Sequence, residues 1–123
     1  MIQGVVNAAY EPVISLTVRG PSGQSAEIEA VVDTGFNGFL TLPSESVAAL
    51  GLLRSARLPA TLADGSTAML DVYRTTVLWD GCLRHVYAYM SEAVALVGMQ
   101  LLDRHSLFIE VEDGGCVLIQ AGK

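Results

Sequence analysis

The chain has 123 residues, 51% of them apolar and 16% charged, with seven Lys and Arg against thirteen Asp and Glu and a formal charge of −6. That length fits a single domain, residues 1–123, with a core of its own, and so acidic a balance withholds the basic surface that phosphate backbones require, so no nucleic-acid partner is expected. Met1 to Asn7 lack a basic segment followed by a long apolar stretch, and no apolar run approaches the roughly 20 residues that span a bilayer, so a cytoplasmic protein without a membrane partner is expected.

Period-two alternation opens the chain. Val13 to Arg19 leads through Gly20-Pro21-Ser22-Gly23 into Ala26 to Val32, which predicts a hairpin with Glu27 and Glu29 toward solvent and Ile28 inward. Its second strand runs directly into Asp33. A short strand, Phe39 to Leu42, precedes a helix over Pro43 to Gly51, with Ser44 as N-cap and Gly51 as the C′ stop. A second hairpin has arms near Leu58 to Ala63 and Ser66 to Trp79, joined at Asp64-Gly65, a dipeptide suited to a two-residue turn. After a turn at Trp79-Asp80-Gly81-Cys82, Leu83 to Met90 reads as a strand. Val94 to Val97 ends at Gly98, and Met99 to His105 favours a second helix. Leu107 to Val111 and Cys116 to Gln120 form the last hairpin. The whole reads as an all-β, barrel-like domain with two short helices.

Cys82 and Cys116 are expected as free thiols in a reducing compartment. Cys82 and His85 lie three apart on a strand and point to opposite faces, which excludes a thiol nucleophile and base pair. His105 is expected to cap or pack, Trp79 and Tyr73 to fill the core, and two His with two scattered Cys lack any metal-ligand spacing, so no metal and no cofactor are expected. A mean hydropathy of +0.45 points to apolar surface covered by a partner.

Asp33-Thr34-Gly35 carries the chemistry. A carboxylate at the end of an apolar strand, followed by a hydroxyl and a Gly, becomes a fixed acid in a partly desolvated loop. Amide hydrolysis needs a base for the water and an acid for the carbonyl oxygen and the leaving amine, and two close carboxylates sharing one proton meet both needs. Asp64, Asp71, Asp80, Asp103 and Asp113 lack the Thr-Gly neighbours, so the second carboxylate is expected from another copy of the chain across a two-fold axis. Strands near Ile2 to Val6 and Cys116 to Gln120 are candidates for that interface, as apolar edges in need of covering.

With Ala30-Val31-Val32 before it, Asp33-Thr34-Gly35 resembles the active-site signature of the retropepsin-like (retroviral-type) aspartic proteases. Leu96-Val97-Gly98-Met99-Gln100-Leu101-Leu102 resembles that family's apolar-apolar-Gly segment and following helix, and Asp103-Arg104-His105 adds to the likeness to small bacterial members and eukaryotic retroviral-protease-like domains. The hairpin at Asp64-Gly65 falls where the family carries its flap, and the likeness spans about Val13 to Ile119. It implies an acid-protease barrel with one lobe per chain, in a homodimer acting on a peptide or unfolded protein. Asp33 is then the catalytic carboxylate, Thr34 bonds across the dimer axis, and Gly35 admits the substrate backbone. Phe36 and Asn37 line the substrate site, and Ala63, Asp64, Gly65 and Ser66 form a flap over a peptide bound as an added strand. Two features depart from the family: Phe36 stands where a small residue is usual, and the flap tip is polar. The implied function is aspartic endopeptidase, the alternative a non-catalytic dimeric peptide-binding module of the same fold.

Overall fold

Alternation in the sequence becomes alternation in burial. Along β2 (Pro12–Arg19), Ile14, Leu16 and Val18 are at most 2% exposed, while Ser15 and Arg19 face outward; β3 (Ser25–Val32) follows with Glu27 and Glu29 exposed. The computed structural model describes residues 1–61 and 64–122. The other elements are β1 (Ile2–Val6), β4 (Leu40–Leu42), α1 (Ser44–Ala49), β5 (Leu53–Thr61), β6 (Thr67–Trp79), β7 (Cys82–Met90), β8 (Leu96–Val97), β9 (His105–Ile109) and β10 (Cys116–Ala121).

The strands form one sheet in the order β5-β6-β7-β4-β8-β3-β2-β1-β10-β9. A further pairing of β6 with β2, Thr17 opposite Leu78 and Arg19 opposite Thr76, closes the ring β2-β3-β8-β4-β7-β6. Inside it lie Leu16, Val18, Leu40, Leu42, Val77, Val86, Ala88 and Val97, each at most 4% exposed. One hairpin, β6–β7, closes through two residues, with Trp79 opposite Cys82. Asp80 (φ 50°) and Gly81 (φ 82°) both take the left-handed region that the β6–β7 turn requires. Trp79 packs in the core and donates its indole N–H to Nε2 of His105 at 3.1 Å, so His105 packs, as expected.

The second helix does not form. Residues 99–104 make successive turns and His105 already opens β9. Arg104 at φ 64° reverses the chain, and Met99 and Gln100 donate their N–H groups to Phe36 and Gly38 instead of opening a helix. Leu101 and Leu102 are buried all the same, at 0% and 6%, and it is this burial that their apolar character records. Ser44 is not the cap of α1 but its first residue. Pro43, extended at φ −70° and ψ 158°, holds the cap position without a side-chain bond, and the Ser44 N–H donates to Glu92 Oε1 at 3.1 Å. Gly51, at φ 61°, ends the helix as expected. Nor are β1 and β10 edges: β1 lies between β2 and β10, and β10 between β1 and β9, which leaves β5 and β9 outermost.

Candidate active site

β3 delivers Asp33 at its C-terminal end, where the parallel partner β8 fixes it. Val31 donates to the Ala95 carbonyl and Asp33 to the Val97 carbonyl, both at 2.9 Å. The loop that follows is laced to the next turn of chain by Gly98 N–H to Phe39 O (3.0 Å), Met99 N–H to Phe36 O (2.8 Å) and Gln100 N–H to Gly38 O (3.1 Å). Here the backbones pass so close that a Cβ on Gly98 would stand 2.2 Å from Gly38 O. Gly98 is therefore a steric requirement of the loop's position. From behind, the buried Thr41 hydroxyl accepts the Leu96 N–H at 2.9 Å and steadies β8.

Asp33 is half-buried, and its Oδ1 accepts the Gly35 N–H at 2.8 Å. That bond orients the carboxylate and leaves its other oxygen unbonded among the described residues. Thr34 and Gly35 are exposed, and no hydrogen bond of the Thr34 hydroxyl is found among the described residues. A lone carboxylate of this kind accepts a proton but has, among the described residues, no second acid bonded to it to supply one. Phe36 is directed into the protein: its ring meets Tyr89 edge-on at 6.0 Å and lies 2.6 Å from where a Cβ on Gly38 or Gly98 would be. Asn37 is exposed and borders a separate surface hollow with Arg84, Met99 and Asp103.

The β5–β6 hairpin stands where the flap was expected, though β5 begins earlier, at Leu53, and Ala63 lies outside the described residues. At its tip Asp64 Oδ1 accepts both the backbone N–H of Ser66, at 2.9 Å, and its hydroxyl, and Gly65 turns at φ 85°. The Ser66 hydroxyl and then its N–H hold the Asp64 carboxyl below its usual range. No hydrogen bond among the described residues joins this tip to the Asp33 loop. Lower down the two regions do meet, around a hollow of about 450 Å³ between Gly38 and Phe39 of the loop, Ala56, Leu58 and Val72 of the hairpin, and Tyr89.

One feature of the site is absent from any motif. Register sets Leu96 beside Val31, Val31 beside Val13, Val13 beside Val5, and Val5 beside Cys116. Cross-strand partners share a face, so an apolar row crosses β8, β3, β2, β1 and β10, and none of its members is buried. The row passes through Val31, two residues before Asp33 on the same strand. At its far end Cys116 donates its thiol and its N–H to Glu110, and this bond, with desolvation and the carboxylate charge, pushes the thiol pKa up.

No family model matches the sequence, and no curated protein matches it significantly. Solved structures do. EIAV protease, in complex with the inhibitor HBY-793, superposes with a TM-score of 0.59 at 15% identity over 78% of this chain and 88% of its own. A retropepsin-like aspartic protease from Rickettsia conorii gives a TM-score of 0.57 at 18% identity, over 99% of this chain and 91% of its own. The present chain thus has the all-β fold of the retropepsin-like aspartic proteases.

Proposed function

We propose that the chain is one subunit of a homodimeric aspartic endopeptidase, in which two Asp33 carboxylates, one from each subunit, activate a water for attack on a peptide carbonyl. The observation that carries this reading is the Asp33 loop: a half-buried carboxylate, oriented by Gly35 N–H and clamped by backbone bonds to Val97 and Gly98, within the retropepsin-like fold. Brought together, two such groups repel and hold one proton between them. The ionised one takes a proton from water while the protonated one donates to the carbonyl oxygen; on collapse of the tetrahedral intermediate the carboxyl that took the water proton passes it to the amine and the other recovers a proton from the gem-diol, with no covalent intermediate. The exposed Thr34 hydroxyl is available for a bond across the axis, and the half-exposed apolar row beside Asp33 is the surface a second copy would cover. An extended peptide would lie between the loop and the β5–β6 hairpin, with a side chain in the hollow at Phe39 and Tyr89.

Asp33→Asn is expected to leave fold and dimer intact and to abolish cleavage of unfolded casein and of a mixed peptide library, cuts that pepstatin-like inhibitors block in the wild type. Cutting by the variant at the wild-type rate would sink the assignment. Activity is expected to fall as pH rises past the upper apparent pKa of the pair. Binding without cutting at every pH would instead favour the alternative, a non-catalytic dimeric peptide-binding module of the same fold.

A further inference from the structure

The outer face of β6 carries a second hollow, of about 560 Å³. Leu53, Arg74 and Tyr87 are register partners across β5, β6 and β7, and Arg19, Thr76 and His85 across β2, β6 and β7. Cross-strand partners share a face, and so do Arg74 and Thr76, two apart on β6. Two guanidinium groups thus flank a floor where Thr76 Oγ1 lies 3.0 Å from His85 Nδ1, beside an apolar wall of Leu53 and Tyr87. Among the described residues no carboxylate lines the hollow. Arg54 is paired with Asp71 at 3.5 Å and Arg84 bonds the Leu101 carbonyl at 3.1 Å, whereas among the described residues neither the Arg19 nor the Arg74 side chain has a hydrogen-bond or ion-pair partner. In a chain with thirteen Asp and Glu against seven Lys and Arg, two arginines without a partner among the described residues at one hollow leave it open to an anion from outside.

The form of the hollow selects among anions. Its walls are apolar as well as cationic, which suits a carboxylate on a hydrocarbon stem better than a bare inorganic ion. Tyr87 also lines the hollow beside the Asp33 loop, so the two adjoin across one side chain. An extended chain seated at the loop therefore has the cationic hollow within reach. We propose that Arg19 and Arg74 form a docking site for an acidic side chain of an extended polypeptide, outside the carboxylate centre. Treating that polypeptide as the substrate rests on the endopeptidase reading, whereas capture of its acidic side chain does not.

The test uses the full chain as Asp33→Asn, isotope-labelled for amide NMR. It is titrated with an acetylated and amidated heptapeptide of Val and Thr carrying two Glu, with the same peptide carrying Gln, and with inorganic phosphate. The Glu peptide is expected to shift the amide signals of Gly20, Thr76, His85 and Tyr87 saturably and to bind about tenfold more tightly than the Gln peptide, the worth of one charge-assisted hydrogen bond. Arg19→Gln combined with Arg74→Gln, at two exposed positions, is expected to abolish that preference. Equal affinity for both peptides, no shifts at these positions, or indifference to the double substitution overturns the proposal. So does phosphate binding as tightly as the Glu peptide, which would make the site one for free anions. Failure of the endopeptidase reading shows elsewhere, as equal cleavage by wild type and Asp33→Asn, and leaves these shifts as they are.

Discussion

At Gly98 a single hydrogen atom decides where the carboxylate sits. A methyl group there would meet Gly38 O at 2.2 Å and the Phe36 ring at 2.6 Å, and the carbonyl cannot rotate away while it accepts the Gln100 N–H. Gly98→Ala is expected to cost about 1–3 kcal/mol by overpacking, read as a lower urea midpoint at unchanged slope, and to lower activity further by moving the loop. An unchanged midpoint would show that the two backbones separate easily. At the other end of the apolar row, Glu110 favours the protonated thiol of Cys116, so this residue is expected to alkylate slowly with iodoacetamide near pH 8. Glu110→Gln removes the charge and should speed that reaction; an unaltered rate would mean the carboxylate does not control the thiol. Asp33, Thr34 and Gly35 were legible in the sequence because their signal is local: a strand end, a carboxylate and a turn. Val5, Val13 and Cys116 were not, since nothing but strand register makes them neighbours of Val31.

Among elements, β6 leads two lives. From Val72 to Trp79 it is held by β7 and in part by β2, whereas from Thr67 to Asp71 it pairs with β5 alone. A two-stranded ribbon is marginal by itself. Amide hydrogen exchange is therefore expected to be orders of magnitude faster over Thr67 to Asp71 than over Val72 to Trp79, and uniform protection along the strand would argue against a movable flap. The bond from Ser66 to Asp64 makes the tip sensitive to acid. Because the folded-state carboxyl titrates below its usual 3.8, the ordering it provides is in place above that value and is lost as pH falls through the lowered one. Hairpins were readable element by element from their alternation, but the connection at Asp64-Gly65 is longer than the two-residue turn expected, since Thr61 is the partner of Thr67 and Ser66 lies before β6. The expected helix at Met99 to His105 failed for a different reason: helix propensity and the burial of Leu101 and Leu102 read alike in sequence, while Arg104 and the bonds to the Asp33 loop settle the backbone.

For the molecule as a whole, the proposed chemistry asks for a second copy, and the half-exposed apolar row beside Asp33 is the surface proposed to receive one. Val5, 49% exposed in the middle of the outer strands, tests this at little cost to the fold. Across a two-fold contact a new charge faces its own copy. Val5→Glu is accordingly expected to convert a particle of about twice the 13.0 kDa chain mass into a single chain in sedimentation, with its circular dichroism preserved and its cleavage lost. Retention of the double mass would place the interface elsewhere. A barrel-like form was expected, but neither the β2–β6 contact that closes the ring nor the identity of the outermost strands could be foreseen, because that contact and the embedding of β1 and β10 join residues far apart in the chain.

The smallest strand in that ring has an outsized place in the order of events. Only two residues long, β8 lies between β3 and β4 and bonds the backbone at Val31 and Asp33. While the chain is being made, β3 therefore waits with a bare edge until Leu96 and Val97 emerge, and the loop around Asp33 lacks its backbone bonds to Val97, Gly98, Met99 and Gln100 until those residues follow. Closure across such sequence distances puts refolding in the range of roughly milliseconds to seconds. On the proposed reading, a carboxylate that waits for these neighbours is inert on the growing chain, and the centre takes form only once Val97 to Gln100 have left the ribosome.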